Sequence, residues 1–253
     1  MLKMKNEFRI FLTALMFYTR FPVREIKGWS ETMLNQSTRY FPLIGILVGT
    51  VTAFSFFAAS QIFPVSLALV LAMAASVLFT GAFHEDGFAD FCDGFGGGQT
   101  KERILEIMKD SRIGTYGTIG LMLMLGTKYA SLVQIDEARI PIILIAGNAF
   151  SRVFPVLLIY TADYARLDAT SKTKPIGKAD SVFSLIFALA TGSSLLAFLQ
   201  WQEIIIAVVL LSLVFLLYRM YIIKKLEGYT GDVLGALQQI SEVLFYLIIA
   251  AQI

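Results

Sequence analysis

Residues 41–83 read FPLIGILVGTVTAFSFFAASQIFPVSLALVLAMAASVLFTGAF, and residues 84–98 follow as HEDGFADFCDGFGGG. The first stretch carries no charged side chain and is long enough to cross about 30 Å of hydrocarbon twice, at about 20 residues per helix. It reads as two spans, Phe41–Phe63 and Pro64–Phe83, joined by the short connection Gln61–Pro64. The second stretch sets Glu85, Asp86, Asp90 and Asp93 directly behind the second span. These two facts predict a membrane helical protein with a carboxylate cluster at one mouth of its bundle.

Working outward, apolar stretches of similar length recur at Ile113–Ile135, Ile140–Tyr160, Val182–Leu199 and Ile204–Ile223, with a shorter one at Val243–Ile253. The last is too short to cross alone, and either extends back toward Leu234 or lies partly in the interface. The first apolar segment, Phe8–Phe21, is interrupted by Arg9 and Arg20 and reads as an amphipathic or re-entrant helix. Composition agrees: 57% of the 253 residues are hydrophobic and 16% charged, against about 25% charged in soluble domains. The expected fold is all-α, one polytopic membrane bundle over residues 1–253 with about six to seven transmembrane helices. A net charge of +2 without a basic block excludes a nucleic-acid partner. The single cysteine, Cys92, excludes an internal disulfide and any multi-cysteine metal site. Residues Met1 to Arg9 lack the pattern of a removable signal peptide.

The basic residues alternate between connections. Lys3, Lys5, Arg9, Arg20, Arg24, Lys27 and Arg39 precede the first span. Lys101, Arg103, Lys109 and Arg112 lie in the 84–112 connection, Arg166, Lys172, Lys174 and Lys178 in 161–180, and Lys224 and Lys225 after the sixth span. The intervening loops hold one basic residue, Arg139, or none. The positive-inside rule places the rich connections, and the acidic cluster with them, in the cytoplasm.

If the second helix continues through the cluster, Asp86, Asp90 and Asp93 fall within about 60° around its axis and about 10 Å along it. Three carboxylates on one narrow stripe repel one another unless a cation neutralises them. Such hard oxygen donors suit Mg²⁺, with Mn²⁺ as the alternative, and phosphate oxygens complete the shell. The plainer reading is a solvated acidic helix end, but Phe88, Ala89, Phe91 and Cys92 occupy the other faces, which a solvated end does not require. Gly87 and Gly94 beside the aspartates permit close approach of a ligand or a neighbouring backbone.

Other residues support such a site. Thr100 reads as the N-cap of a surface helix running to about Asp110. The segment from Lys109 to Gly117 sets Lys109 and Arg112 among small residues, which suits phosphate as well as it suits membrane anchoring. Asn148, Ser151 and Arg152 lie inside a span, where an arginine costs at least about 2.5–3.5 kcal/mol and therefore faces the bundle interior. Lys128 is expected to snorkel to the outer interface. Thr230 or Asp232 caps the last helix or meets substrate, Glu242 stands out on an apolar helix, and His84 is either a proton acceptor or a packing residue.

Together these pieces resemble one family, cobalamin synthase, the adenosylcobinamide-GDP ribazoletransferases. The resemblance rests on Phe17–Pro22 (FYTRFP), Tyr40–Gly45 (YFPLIG), His84–Gly94, Ile107–Gly114 (IMKDSRIG), Ser151-Arg152 and Gly228–Ala236, with Glu242 following. At Lys172–Ile176 the chain departs from the Gly-Leu-Gly often found in that connection. The resemblance implies transfer of the cobinamide-phosphate moiety of adenosylcobinamide-GDP to α-ribazole or its 5′-phosphate, with GMP released and Mg²⁺ as cofactor. It implies Asp86, Asp90 and Asp93 as metal ligands, Asp110 and Asp232 as candidate further ligands, and Asp93 as the proton acceptor. Arg112 and Arg152 would meet phosphate charge, beside Lys109 and Thr230 as substrate contacts and Glu85 and Glu242 as additional candidates. The implied location is the bacterial inner membrane, with a homo-oligomer and contacts to other cobalamin-assembly enzymes left open. A CDP-alcohol phosphotransferase would need Ala-Arg soon after its first Asp-Gly, where Phe88-Ala89-Asp90 stands. A secondary transporter would need internal repeats, which the sequence does not display.

Overall fold

The computed structural model describes residues 2–165 and 179–251, with side chains from residue 6 onward. The expectations for Arg166, Lys172, Lys174 and Lys178, and the departure at Lys172–Ile176, lie outside the described residues. All regular elements among the described residues are helical.

Helix α1 (Leu2–Tyr18) is followed by an extended stretch and α2 (Glu31–Ser37), whose N-cap Ser30 accepts a hydrogen bond from the Met33 N–H. A 3-10 turn joins α2 to α3 (Phe41–Ser60), giving a continuous helical run from Glu31 to Ser60. Then come α4 (Val65–Thr80), α5 (Phe83–Gly97), α6 (Lys101–Ile107), α7 (Thr115–Val133), α8 (Ile140–Ser151) and α9 (Val153–Thr161). The chain closes with α10 (Val182–Ser193), α11 (Trp201–Leu226) and α12 (Gly231–Ala250). Among the described residues four helical runs are long and apolar enough to cross a membrane, and a fifth counts if α4 and α5 form one broken span. The protein is thus an all-helical, multi-pass membrane type.

Two boundaries differ from the sequence reading. Helix α4 does not continue through the acidic cluster. Gly81 (φ 69°) and Ala82 (φ 57°) both adopt left-handed backbone, and α5 leaves at 89° to α4. Glycine suits the first of these because a Cβ there would meet the Arg20 side chain as well as the steric penalty of positive φ. The final helix begins at Gly231, capped by Thr230 as the sequence allowed, and runs 20 residues, well beyond the apolar stretch that starts at Val243. Its first half carries Gln238 and Gln239 yet is turned into the protein.

Helix α12 is the hub, packing against α5, α7, α8, α9 and α11. Helix α11 lies at the edge, exposing Ile205, Val209, Leu213, Leu216 and Met220, as a lipid-facing helix does. Helices α3 and α8 approach closely because Gly45 and Gly49 occupy one face of α3. A Cβ at Gly49 would lie 2.6 Å from the Ile145 Cα. This is the small-residue contact by which membrane helices pack without a hydrophobic driving force.

Candidate active site at the α5–α12 crossing

Helix α5 crosses the first turn of α12 where Gly87 meets Asp232 and Gly235. A Cβ on Gly87 would sit 3.1 Å from the Asp232 Cα and 3.5 Å from that of Gly235. Asp86 flanks this contact on α5 and is exposed; Asp90, one turn on, is half-buried, as is Asp232. The fold therefore places Asp232, distant in sequence, beside the helix that carries Asp86 and Asp90. Among the described residues, no three or more His, Cys, Asp or Glu side chains gather into a preformed metal cage.

Asp93 shares α5 with Asp86 and Asp90, as the stripe requires, but its carboxylate is already engaged. It is buried, and its two carboxylate oxygens accept the backbone N–H groups of Gly114 (2.6 Å) and Gly117 (2.8 Å). Both donors belong to the N-terminus of α7, where unpaired N–H groups and the helix dipole favour an anion. Glycine at 114 and 117 is what lets the carboxylate in, since a Cβ at either would overlap it. Asp93 thus anchors the start of α7 and, with it, the segment bearing Lys109, Asp110 and Arg112. Metal ligation and proton transfer at Asp93 would have to use the lone pairs these bonds leave.

In that segment Lys109 and Arg112 are exposed. Asp110 pairs with Arg112 at 2.6 Å, and its carboxyl is held down to about 2 by the Arg112 guanidinium and backbone N–H. Two candidates from separate classes, a metal ligand and a phosphate contact, here satisfy each other. Thr100 caps α6 as read from sequence, accepting from the Arg103 N–H. Lys101 bridges to Glu227 at 2.5 Å, tying the 98–114 connection to the one that precedes α12.

Behind the crossing lies a buried polar network. Lys128 of α7 pairs with Glu242 of α12 at 3.0 Å and also donates to Gln239. Glu242 further accepts from Gln238, Tyr246 and Asn148. Gln239 donates to Glu85 of α5 at 3.1 Å, and Gln238 to Ser151. Lys128 therefore does not reach the outer interface as expected; at 7% exposure it is an interior cation with an interior partner. Arg152, expected to contact phosphate, also faces inward. It donates to the Asn148 carbonyl at 2.6 Å and lies over the Phe41 ring at 5.4 Å, while Glu85 and Glu242 offset its charge. Two cations and two carboxylates thus balance in a water-poor interior, where an unpaired charge would be costly. A cavity of about 10 Å³ beside Glu85, Lys128 and Glu242 has the room that one water needs.

Thr230 is buried as the N-cap of α12, its hydroxyl accepting from the Val233 N–H. His84 is 2% exposed, with its ring stacked on that of Phe41 at a centroid distance of 5.4 Å and an angle of 27°. The network members overlooked in sequence are Gln238, Gln239 and Tyr246, while Lys128 was expected at the outer interface. The available signal was the four-residue spacing of Gln238, Glu242 and Tyr246, which puts all three on one stripe of α12.

The sequence model of one family, described as cobalamin-5-phosphate synthase, matches residues 10–250. The adenosylcobinamide-GDP ribazoletransferase of Shewanella frigidimarina is 43% identical, over 99% of this chain and 97% of its own length. That of Leptospira interrogans is 45% identical over 97% and 96% of the two chains. The one from Vibrio cholerae is 40% identical over 98% and 95%. No solved structure matches.

Proposed function

This chain belongs to the cobalamin-5-phosphate synthase family, and from that premise we propose that it joins ribazole, or its 5′-phosphate, to adenosylcobinamide-GDP. The observation that carries the reading is relatedness of over 40% identity along nearly the whole of both chains, to proteins named for this transfer. In the reaction a ribose hydroxyl oxygen attacks the cobinamide-linked phosphorus. A new P–O bond forms, the bond to the GMP phosphate oxygen breaks, and the hydroxyl proton passes to a nearby base or water. Adenosylcobalamin or its 5′-phosphate results, completing the nucleotide loop.

Diphosphate cleavage requires charge neutralisation and alignment more than covalent help from the protein. The donor set suits Mg²⁺ arriving with the diphosphate, since that ion commonly takes one or two carboxylates and completes its shell with phosphate oxygens and water. Asp86 and Asp90 on α5 would hold it, with Asp232 across the Gly87 contact. When bound, the ion supplies neutralisation of the diphosphate and of the developing charge on the departing GMP. The protein's own groups do the rest. Lys109 and Arg112 extend from the anchored 108–114 segment toward anionic substrate, with Arg112 exchanging Asp110 for phosphate. Asp93 fixes that segment, and the Lys128–Glu242 network fixes the seat of α5 on α12. The alternating basic residues support a cytoplasmic site in a bacterial inner membrane.

The test is purified protein in detergent or liposomes, supplied with adenosylcobinamide-GDP, α-ribazole and Mg²⁺, with GMP followed over time. Stoichiometric GMP and the coupled corrinoid are expected. No release under any of these conditions sinks the proposal.

A further inference from the structure

A second feature of the crossing lies outside the acidic residues. Between α1, α3, the start of α5, α9 and the first turn of α12 runs a narrow crevice of about 40 Å³, on the same measure as the cavity beside Lys128, and it opens out at its mouth. Its lining includes Phe17, Tyr18, Phe41, Phe83, His84 and Leu234. Tyr18 and Phe41 stack at 4.4 Å with planes 29° apart, and Phe41 and His84 at 5.4 Å with planes 27° apart. The Phe83 ring stands almost perpendicular to both Phe17 and His84. At the α12 end, space around Gly231 is open, and Asp232 follows at once. The Nε2 atom of His84 is buried and has no hydrogen-bond partner.

We infer that this crevice holds the flat base of the acceptor nucleoside, with His84 Nε2 hydrogen-bonded to the base's one free ring nitrogen. The inference rests on the transferase reading and adds to it the subsite for the acceptor. Stacked aromatic walls suit a planar heteroaromatic ring. No cation lines the crevice, because Arg152 lies against Phe41 in the buried network, so a diphosphate has no partner there. A corrin ring is too large for the volume. Guanine presents several donors and acceptors along its edge, which this lining would leave unpaired. A benzimidazole nucleoside has a single ring nitrogen left after its glycosidic bond, which matches one orphaned imidazole nitrogen. A base seated here brings its ribose toward the α12 end, where Asp232 meets α5.

Equilibrium dialysis of labelled α-ribazole against the full-length protein, without the second substrate, tests the assignment. It is run on wild type, Phe83→Ala and His84→Asn, and paired with KM for each substrate in the GMP-release assay. Phe83 is 40% exposed, so its truncation leaves the core intact. The expected result is ribazole binding weakened on the order of tenfold or more in Phe83→Ala, with KM for ribazole rising in step. KM for adenosylcobinamide-GDP should stay within about twofold. Unchanged ribazole binding in both variants overturns the inference, as does loss of guanosine binding in place of ribazole binding. Wild type that binds ribazole through the crevice but releases no GMP sinks the transferase reading alone. Wild type that turns over normally while Phe83→Ala and His84→Asn match it sinks the crevice alone.

Discussion

Replacing Lys128 with methionine removes the cation of the buried pair while nearly preserving side-chain length. The Lys128 and Glu242 side chains are 9% and 5% exposed, and their charged atoms lie 3.0 Å apart. Glu242 would then keep its hydrogen bonds from Gln238, Asn148 and Tyr246 but lose its closest counter-charge. Breaking a buried pair from one side costs about 3–5 kcal/mol, because the remaining charge stays desolvated and unpaired. The hydrogen bond to Gln239 adds about 0.6 kcal/mol by membrane-protein standards. The double variant Lys128→Met/Glu242→Gln removes both charges and retains an amide that can bond Gln238 and Tyr246; Glu85 still offsets Arg152. It should therefore regain most of the loss and fall within about 1–2 kcal/mol of wild type. Reversible unfolding in mixed micelles, followed by circular dichroism, gives the free energies of wild type, the single and the double variant. If Lys128→Met costs under about 1 kcal/mol, or the double variant is no more stable than the single, the pair is not the buried charge centre inferred here.

Other outcomes follow from the same geometry. Asp93→Ala leaves the N–H groups of Gly114 and Gly117 without their acceptor. It should cost about 2–4 kcal/mol in the same unfolding assay, at about 1.5–3 kcal/mol per charge-assisted bond less what water recovers. Gly49→Ala places a methyl 2.6 Å from the Ile145 Cα, so α3 must shift from α8. A stability loss of about 1–3 kcal/mol is expected, with Mg²⁺-dependent turnover per folded molecule unchanged. The Asp110 carboxyl, held down to about 2 by Arg112, stays ionised in any practical assay. Its folded pKa is depressed, so the pair's contribution is fully present above the unfolded value of about 3.9 and is lost only as pH falls toward the folded one. Carboxyl carbon NMR titration should show the Asp110 midpoint rising toward about 4 in Arg112→Ala, and no acid limb of the turnover profile should move with that substitution.

The spans were legible because a charge-free run as long as residues 41–83 has few uses other than a bilayer. Arg152 and Glu242 were legible as interior groups for the complementary reason, that a charge within an apolar segment needs a partner. Lys128 was misplaced because its partner, Glu242, sits on a helix far along the chain, and no local pattern announces that pairing. The capping role of Asp93 was hidden because its partners are backbone N–H groups. Only the glycines at 114 and 117 hint at it. Reading α5 as a continuation of α4 failed at Gly81-Ala82, where one glycine and one strained alanine turn the chain by 89°. The start of α12 was legible in Thr230 as a cap, but its continuity was not, because hydropathy scores Gln238 and Gln239 as polar, whereas their bonding partners lie inside the protein.

What remains most exposed to refutation is the role of the α5 carboxylates. Initial rates of GMP release, measured across a Mg²⁺ titration for wild type and for Asp86→Asn and Asp90→Asn, address it directly. Expected are no release after chelation, turnover restored by Mg²⁺, and kcat lowered by on the order of a hundredfold or more in each variant, with folding by circular dichroism unaltered. Wild-type rates in either variant at every Mg²⁺ concentration, or full turnover in chelator, would contradict it.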